Sequence, residues 1–187
     1  MNSPTDPVAG RSAPRKADGN PSRGNVASER RLTPSRTLAL AVLALGIGAA
    51  IAMVIADLSP VYTVTLTGSS CQAAVPTPEL QAACDPTAGA RHSHALIVLA
   101  IAAAIMAFAA GPGRSLPATF ALLALGAAGL AIALIGDLPD VDETGILAGS
   151  YSGATASPAS GFFLELVGGV LALGAGALGL ARRRATS

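Results

Sequence analysis

The chain has no tryptophan, only two cysteines, one lysine, and aromatic residues amounting to 3%. Charge is also scarce: 12% of its 187 residues are charged, against the ~25% usual in soluble domains. Each shortage excludes something. With almost no aromatic rings to stack on bases and no folded basic domain, nucleic acid is not an expected partner. No phosphate-binding loop, nucleophile elbow or zinc-binding HExxH motif occurs, so neither an enzyme nor a bound cofactor is expected. With so little charge, the helices of a water-soluble bundle would lack the polar faces that water demands.

Apolar residues are abundant instead, at 51% of the chain. They gather in four runs, about Leu38–Leu58, Ala95–Gly111, Pro117–Gly136 and Phe162–Ala181. A helix rises about 1.5 Å per residue and a bilayer core is about 30 Å thick, so about 20 residues are needed to cross. Three runs meet that length. The second reaches it with Ser93 or His94 among the headgroups. The fold class expected is therefore an all-α membrane protein: a four-transmembrane-helix bundle over residues 37–182, with external loops 59–94 and 137–160. Residues 1–36 are rich in Pro, Ser, Gly, Asn and Arg and lack any hydrophobic period, so they are expected to form a disordered basic tail. Residues 183–187 form a short cytoplasmic end.

Orientation follows from the basic residues. Eleven of the twelve fall on one side of a four-span threading: seven in the tail, Arg114 in the second turn, and Arg182, Arg183 and Arg184 at the end. Only Arg91 lies opposite, together with most of the carboxylates. Both termini are read as cytoplasmic. Heavy use of Ala, Gly and Arg suggests a GC-rich bacterial genome, which makes the membrane the plasma membrane. Arg30, Arg31 and Arg36, with Arg182, Arg183 and Arg184, are expected at anionic lipid headgroups, at about 1 kcal/mol each. Arg30-Arg31 before an apolar run is a twin-arginine feature, but Glu-Arg-Arg-Leu-Thr-Pro matches such leaders poorly. A retained anchor is expected rather than a cleaved signal.

Residues 41–58 align without gaps on 121–138, with eight identities in eighteen positions that include Asp57-Leu58 on Asp137-Leu138. A duplicated two-helix hairpin is one reading; convergence of Ala, Leu and Gly in apolar segments is the other. Small residues recur at helical spacing, as in Gly168, Ala172 and Gly176. Such rows let helices approach closely in lipid, between two copies of the chain or, as expected here, within one.

Both cysteines, Cys71 and Cys84, fall in the first external loop, where two thiols normally pair. A structural disulfide is expected. The run Val61–Leu66 alternates β-branched residues and can form a short strand.

The remaining chemistry lies in acids and histidines. Asp57 and Asp137 end two outward-running helices, where the macrodipole disfavours negative charge. They continue the small-residue rows Gly46-Ala49-Met53 and Gly126-Gly129-Ala133. If those faces pack inward, the two carboxylates approach each other near Arg91, His92 and His94, with Glu165 about one turn inside the fourth helix. Asp57, Asp137, Glu165, His92 and His94 are thus candidates for an ion or proton site, since intramembrane acids mark function by default. The plainer reading makes the aspartates helix ends that cap the following turns. A metal site is not expected, because His92 and His94, two residues apart, cannot share a helix face.

The plan of four helices with a stapled first loop resembles claudin-like tetraspan proteins in topology alone, since their loop tryptophans are missing here. The function expected is that of a non-enzymatic structural or accessory component of a membrane assembly, in contact with lipid and with a protein partner. The alternative is a transporter or channel subunit that uses the acidic cluster.

Overall fold

A computed structural model describes residues 34–67, 69–141, 147, 151 and 153–185. The expected disordered tail, with Arg30 and Arg31, lies outside the described residues, as do Asp142 and Glu143 of the second loop.

The elements run α1 (Pro34–Leu58), β1 (Tyr62–Leu66), β2 (Ser69–Ser70), α2 (Cys71–Ala74), α3 (Pro78–Ala82), α4 (Ala88–His92), α5 (Ala95–Ala110), α6 (Leu116–Ala131), α7 (Leu138–Val141), β3 (Thr155–Pro158) and α8 (Ser160–Arg184). A π-helical turn, Ile132–Asp137, joins α6 to α7. The chain is mostly helical. Three helical stretches, Arg36–Leu58, Leu116–Asp137 and Ser160–Arg184, are long and apolar enough to cross a membrane. The fourth long helix, α5, has 16 residues, or about 24 Å at 1.5 Å per residue, less than a bilayer core. It stops short because Ser93 and His94 are both left-handed (φ 51° and 61°) and separate it from α4.

α1 packs along α5 and α8, and α6 packs along the same two helices. Their shared interior is built from small residues: Ala49, Ala100, Ala103, Ala107, Ala172 and Ala175 are all buried. α6 and α8 cross closely. A Cβ on Gly126 would lie 2.6 Å from the Leu173 amide nitrogen and 2.8 Å from the Gly169 carbonyl oxygen, so backbone meets backbone there. Large apolar side chains such as Ile51, Ile101, Phe108, Phe120, Ile135 and Val170 point outward. Small residues inside and large ones outside is the distribution that lipid favours, because helices gain little from hiding leucines from hydrocarbon and much from close approach. Gly168, Ala172 and Gly176 are buried within the single chain, against Met53 for Gly168 and Leu123 for Gly176. That row is used within the monomer.

The all-α expectation gives way at one end. β1 pairs antiparallel with both β2 and β3, giving the order β2-β1-β3. The strand expected at 61–66 is present as Tyr62–Leu66, but its longer partner comes from the second loop, with Tyr62 opposite Pro158 and Thr65 opposite Thr155. The two loops thus form one cap. Cys71 and Cys84 form a disulfide beneath it and are buried with Val64, Val75 and Leu147. Closing a loop of this length stabilises by about 3 kcal/mol through loss of unfolded-chain entropy.

Local signals set the helix starts. Thr77 and Thr87 accept from the Leu80 and Ala90 amides, and Ser115 from that of Ala118, each a side-chain N-cap that satisfies an orphan donor. Pro78 and Pro117 sit in the first turn, where no amide hydrogen is needed.

Candidate functional site

Three carboxylates are buried at the disulfide end. Asp57 closes α1, Asp137 ends the π-helical turn, and Glu165 lies in the second turn of α8; they are 1%, 0% and 1% exposed. Their burial follows from helical rows. Gly46, Ala49, Met53 and Asp57 are all buried on α1, as are Gly126, Gly129, Ala133 and Asp137 on the α6 stretch. On α8, Glu165 is flanked by buried Gly161, Phe162, Gly168 and Gly169.

The short helix α4 supplies Arg91 and His92, and His94 follows two residues beyond its end. His92 Nε2 lies 2.9 Å from Asp137 Oδ1 and 3.1 Å from Oδ2. Arg91 Nε lies 3.4 Å from the same Oδ1, and its guanidinium carbon sits 5.5 Å from the centroid of the Tyr62 ring, a cation–π distance. His94 Nδ1 lies 2.7 Å from Asp57 Oδ2. The two histidines do not share a helix face. Instead the left-handed residues Ser93 and His94 break the helix between them, so each imidazole meets a different aspartate. Positive φ in non-glycine residues costs of order 1 kcal/mol and persists where surroundings hold it, commonly at functional sites. The π-helical turn that carries Asp137 belongs to the same category.

Gly89 makes the second pair fit. A Cβ there would lie 2.6 Å from Asp57 Oδ2 and 2.7 Å from His94 Nδ1. Any side chain would occupy the space of that hydrogen bond.

His92, Asp137 and Glu165 each offer a ligand atom, and these atoms lie within 4.8 Å of one another. Among the described residues, nothing donates a hydrogen bond to either Glu165 oxygen or to Asp57 Oδ1. Such atoms are costly to bury, because each gives up water without replacement. Among the described residues, three buried carboxyl groups gather around the single guanidinium of Arg91. The C-terminal ends of α1 and of the α6 stretch add negative potential beside Asp57 and Asp137.

All five candidate site residues therefore gather at one end: His92, Asp137 and Glu165 as one group, His94 and Asp57 as an adjoining pair. Tyr62 is the member that sequence reasoning missed. Its one signal is an aromatic ring opening a β-branched run next to the loop that holds Arg91.

The arginine end differs in one respect from the headgroup expectation. Arg36, Arg183 and Arg184 are exposed, but Arg182 is buried and its Nη1 donates to the Gly111 carbonyl at 2.9 Å. The α5–α6 turn leaves that carbonyl without a helical donor, and the guanidinium turns inward to supply one. Arg183 donates to the Arg114 carbonyl. A cavity of about 220 Å³ lies here, lined by Arg114, Thr119, Arg182 and Arg183 among others.

No family model, no curated protein and no solved structure matches the chain.

Proposed function

We propose that the chain is a non-enzymatic, four-span accessory component of a bacterial plasma-membrane assembly, with both termini cytoplasmic, and that its carboxylate–histidine cluster binds a cation from the outer side. In this reading α5 spans with its turns at Ser93–His94 and Gly111–Ser115 among the headgroups, and its outward Val98, Ile101, Ile105 and Phe108 meet lipid. The basic residues then lie at the cytoplasmic surface, as the charge rule favours.

One observation carries the reading: the carboxyl of Glu165, 1% exposed, has no hydrogen-bond donor among the described residues and faces Asp137. A buried acid within a membrane-spanning helix is a functional candidate by default, and a bound cation would offset its burial cost. The alternative of a transporter or channel subunit has the same cluster in its favour. Against it stands the interior. Among the described residues, the buried polar side chains are Asp57, Asp137 and Glu165 at one end and Thr119 and Arg182 at the other, separated by alanine, leucine, valine and methionine. A conducting path needs polar or wet stepping stones, so a one-ended binding site is favoured. The equivalent burial of Asp57 and Asp137 at matching helix ends supports the duplicated-hairpin reading as part of the same proposal.

The test combines three readouts on the protein purified from its own membranes in mild detergent. Melting temperature should rise with added cations in a Glu165-dependent way. Proteoliposomes should show no cation flux above protein-free vesicles. A stoichiometric companion protein should co-purify. Cation-independent melting would end the binding reading; a solitary chain in native membranes would end the accessory one.

A further inference from the structure

We propose that His92 Nε2 and one oxygen each of Asp137 and Glu165 form a binding site for a divalent transition-metal ion, with water completing its shell. The inference rests on the cation-binding reading above and names the ligand of that site.

The donor set selects the ion class. Calcium, sodium and potassium take oxygen ligands, and calcium wants six to eight of them. An imidazole nitrogen beside two carboxylates suits zinc, manganese, iron, cobalt or nickel. Distances agree. Ligand bonds of about 2.0–2.2 Å put neighbouring donors about 3 Å apart. Here His92 Nε2 and Asp137 Oδ1 are already 2.9 Å apart, and all three ligand atoms lie within 4.8 Å. A movement of the Glu165 carboxyl by no more than about 2 Å closes the set.

The three ligands come from three separate elements, α4, the π-helical turn and α8, so their backbones are held by the fold rather than by the ion. Glu165 is the independent indication. It is buried, points at the other two, and lacks any other donor among the described residues. Arg91, against Asp137 and stacked on Tyr62, is placed to orient that carboxylate from outside the ligand set, as outer-shell partners do. Of the three ligands only His92 is partly exposed, with 19% of its side chain open, so it marks the way in. Asp57 and His94 face each other across Gly89 and stand outside the set.

The experiment is a cobalt(II) titration of tag-free, chelator-treated protein in detergent, followed by visible absorption, with zinc(II) as competitor. The proposal expects d–d bands saturating at one cobalt per chain and erased by zinc. Glu165→Gln and His92→Gln should each weaken binding by more than the 10–100-fold typical of losing an outer-shell partner. Asp57→Asn and His94→Gln should stay within a few-fold of wild type. The wild-type titration needs no variant, so misfolding of one substitution cannot mask the answer. Absence of cobalt bands in folded wild-type protein overturns the metal site, as do bands that survive Glu165→Gln unchanged. If cobalt and zinc fail while sodium or potassium still raises the melting temperature through Glu165, the metal claim falls and the cation-binding reading stands. If no cation acts, both fall.

Discussion

Gly89→Ala separates the geometry of the site from ordinary helix behaviour, because the two predict opposite signs. Gly89 lies inside α4, where alanine is favoured over glycine by about 1 kcal/mol on helix propensity alone. The structure predicts the reverse. The added methyl would sit 2.6 Å from Asp57 Oδ2, 2.7 Å from His94 Nδ1 and 2.8 Å from the Asp57 carbonyl oxygen. Two of these are backbone or fully buried atoms that cannot swing aside. Overpacking of this kind costs about 1–3 kcal/mol. The methyl also displaces the 2.7 Å His94–Asp57 hydrogen bond. The histidine side of that bond is 65% exposed, so its loss costs only about 1 kcal/mol. Taking the propensity gain off these two costs leaves a net destabilisation of about 1–3 kcal/mol. Equilibrium unfolding in mixed detergent, with far-ultraviolet circular dichroism as the signal, measures it. His94→Ala in the same background should recover part of the loss by vacating one of the contacts. A Gly89→Ala variant more stable than wild type would refute the packing of α4 on the end of α1.

Replacing both Cys71 and Cys84 by serine should lower stability by about 3 kcal/mol, seen as a lower unfolding midpoint, and reduction of the wild type should have the same effect. Arg182→Met keeps the aliphatic stem but leaves the Gly111 carbonyl without its donor, so a loss of about 1–3 kcal/mol is expected in the same assay. Glu165→Leu removes a buried carboxyl that has no hydrogen-bond donor among the described residues. In chelator-treated detergent it should leave stability unchanged or raise it by about 1–4 kcal/mol, while abolishing any gain from added cation. Gly126→Val would press a branched side chain into the Gly169 and Leu173 backbone of α8 and should prevent accumulation of folded protein, read by size-exclusion chromatography.

The helices were legible in the sequence because apolar runs and helix bounds nearly coincide: the run ending at Gly111 becomes α5, ending at Ala110. The differences are at the ends. α8 extends to Ser160 and Arg184, beyond its apolar run, because polar residues complete the first and last turns where side chains reach water. The buried rows leading to Asp57 and Asp137 were legible for the same periodic reason, as was the depth of Glu165. β3 was not. Thr155-Ala156-Ser157-Pro158 has no strand signature, and its pairing is imposed by β1 from another loop. The histidine arrangement was hidden too. Spacing rules treat residues 92 and 94 as members of one regular helix, whereas the left-handed pair at Ser93 and His94 turns each ring to its own aspartate. Left-handed residues announced by neither glycine nor asparagine leave no local trace. Arg182 reads in the sequence like its exposed neighbours Arg183 and Arg184; only the tertiary position of Gly111 draws it inward.

The most direct test of the account is anomalous diffraction from crystals of the protein grown with zinc or manganese. The account predicts one anomalous peak per chain, about 2.0–2.2 Å from His92 Nε2 and from an oxygen of Asp137 and of Glu165. A chain shown to carry the ion in solution but lacking a peak there, or holding it between His94 and Asp57 instead, would contradict it.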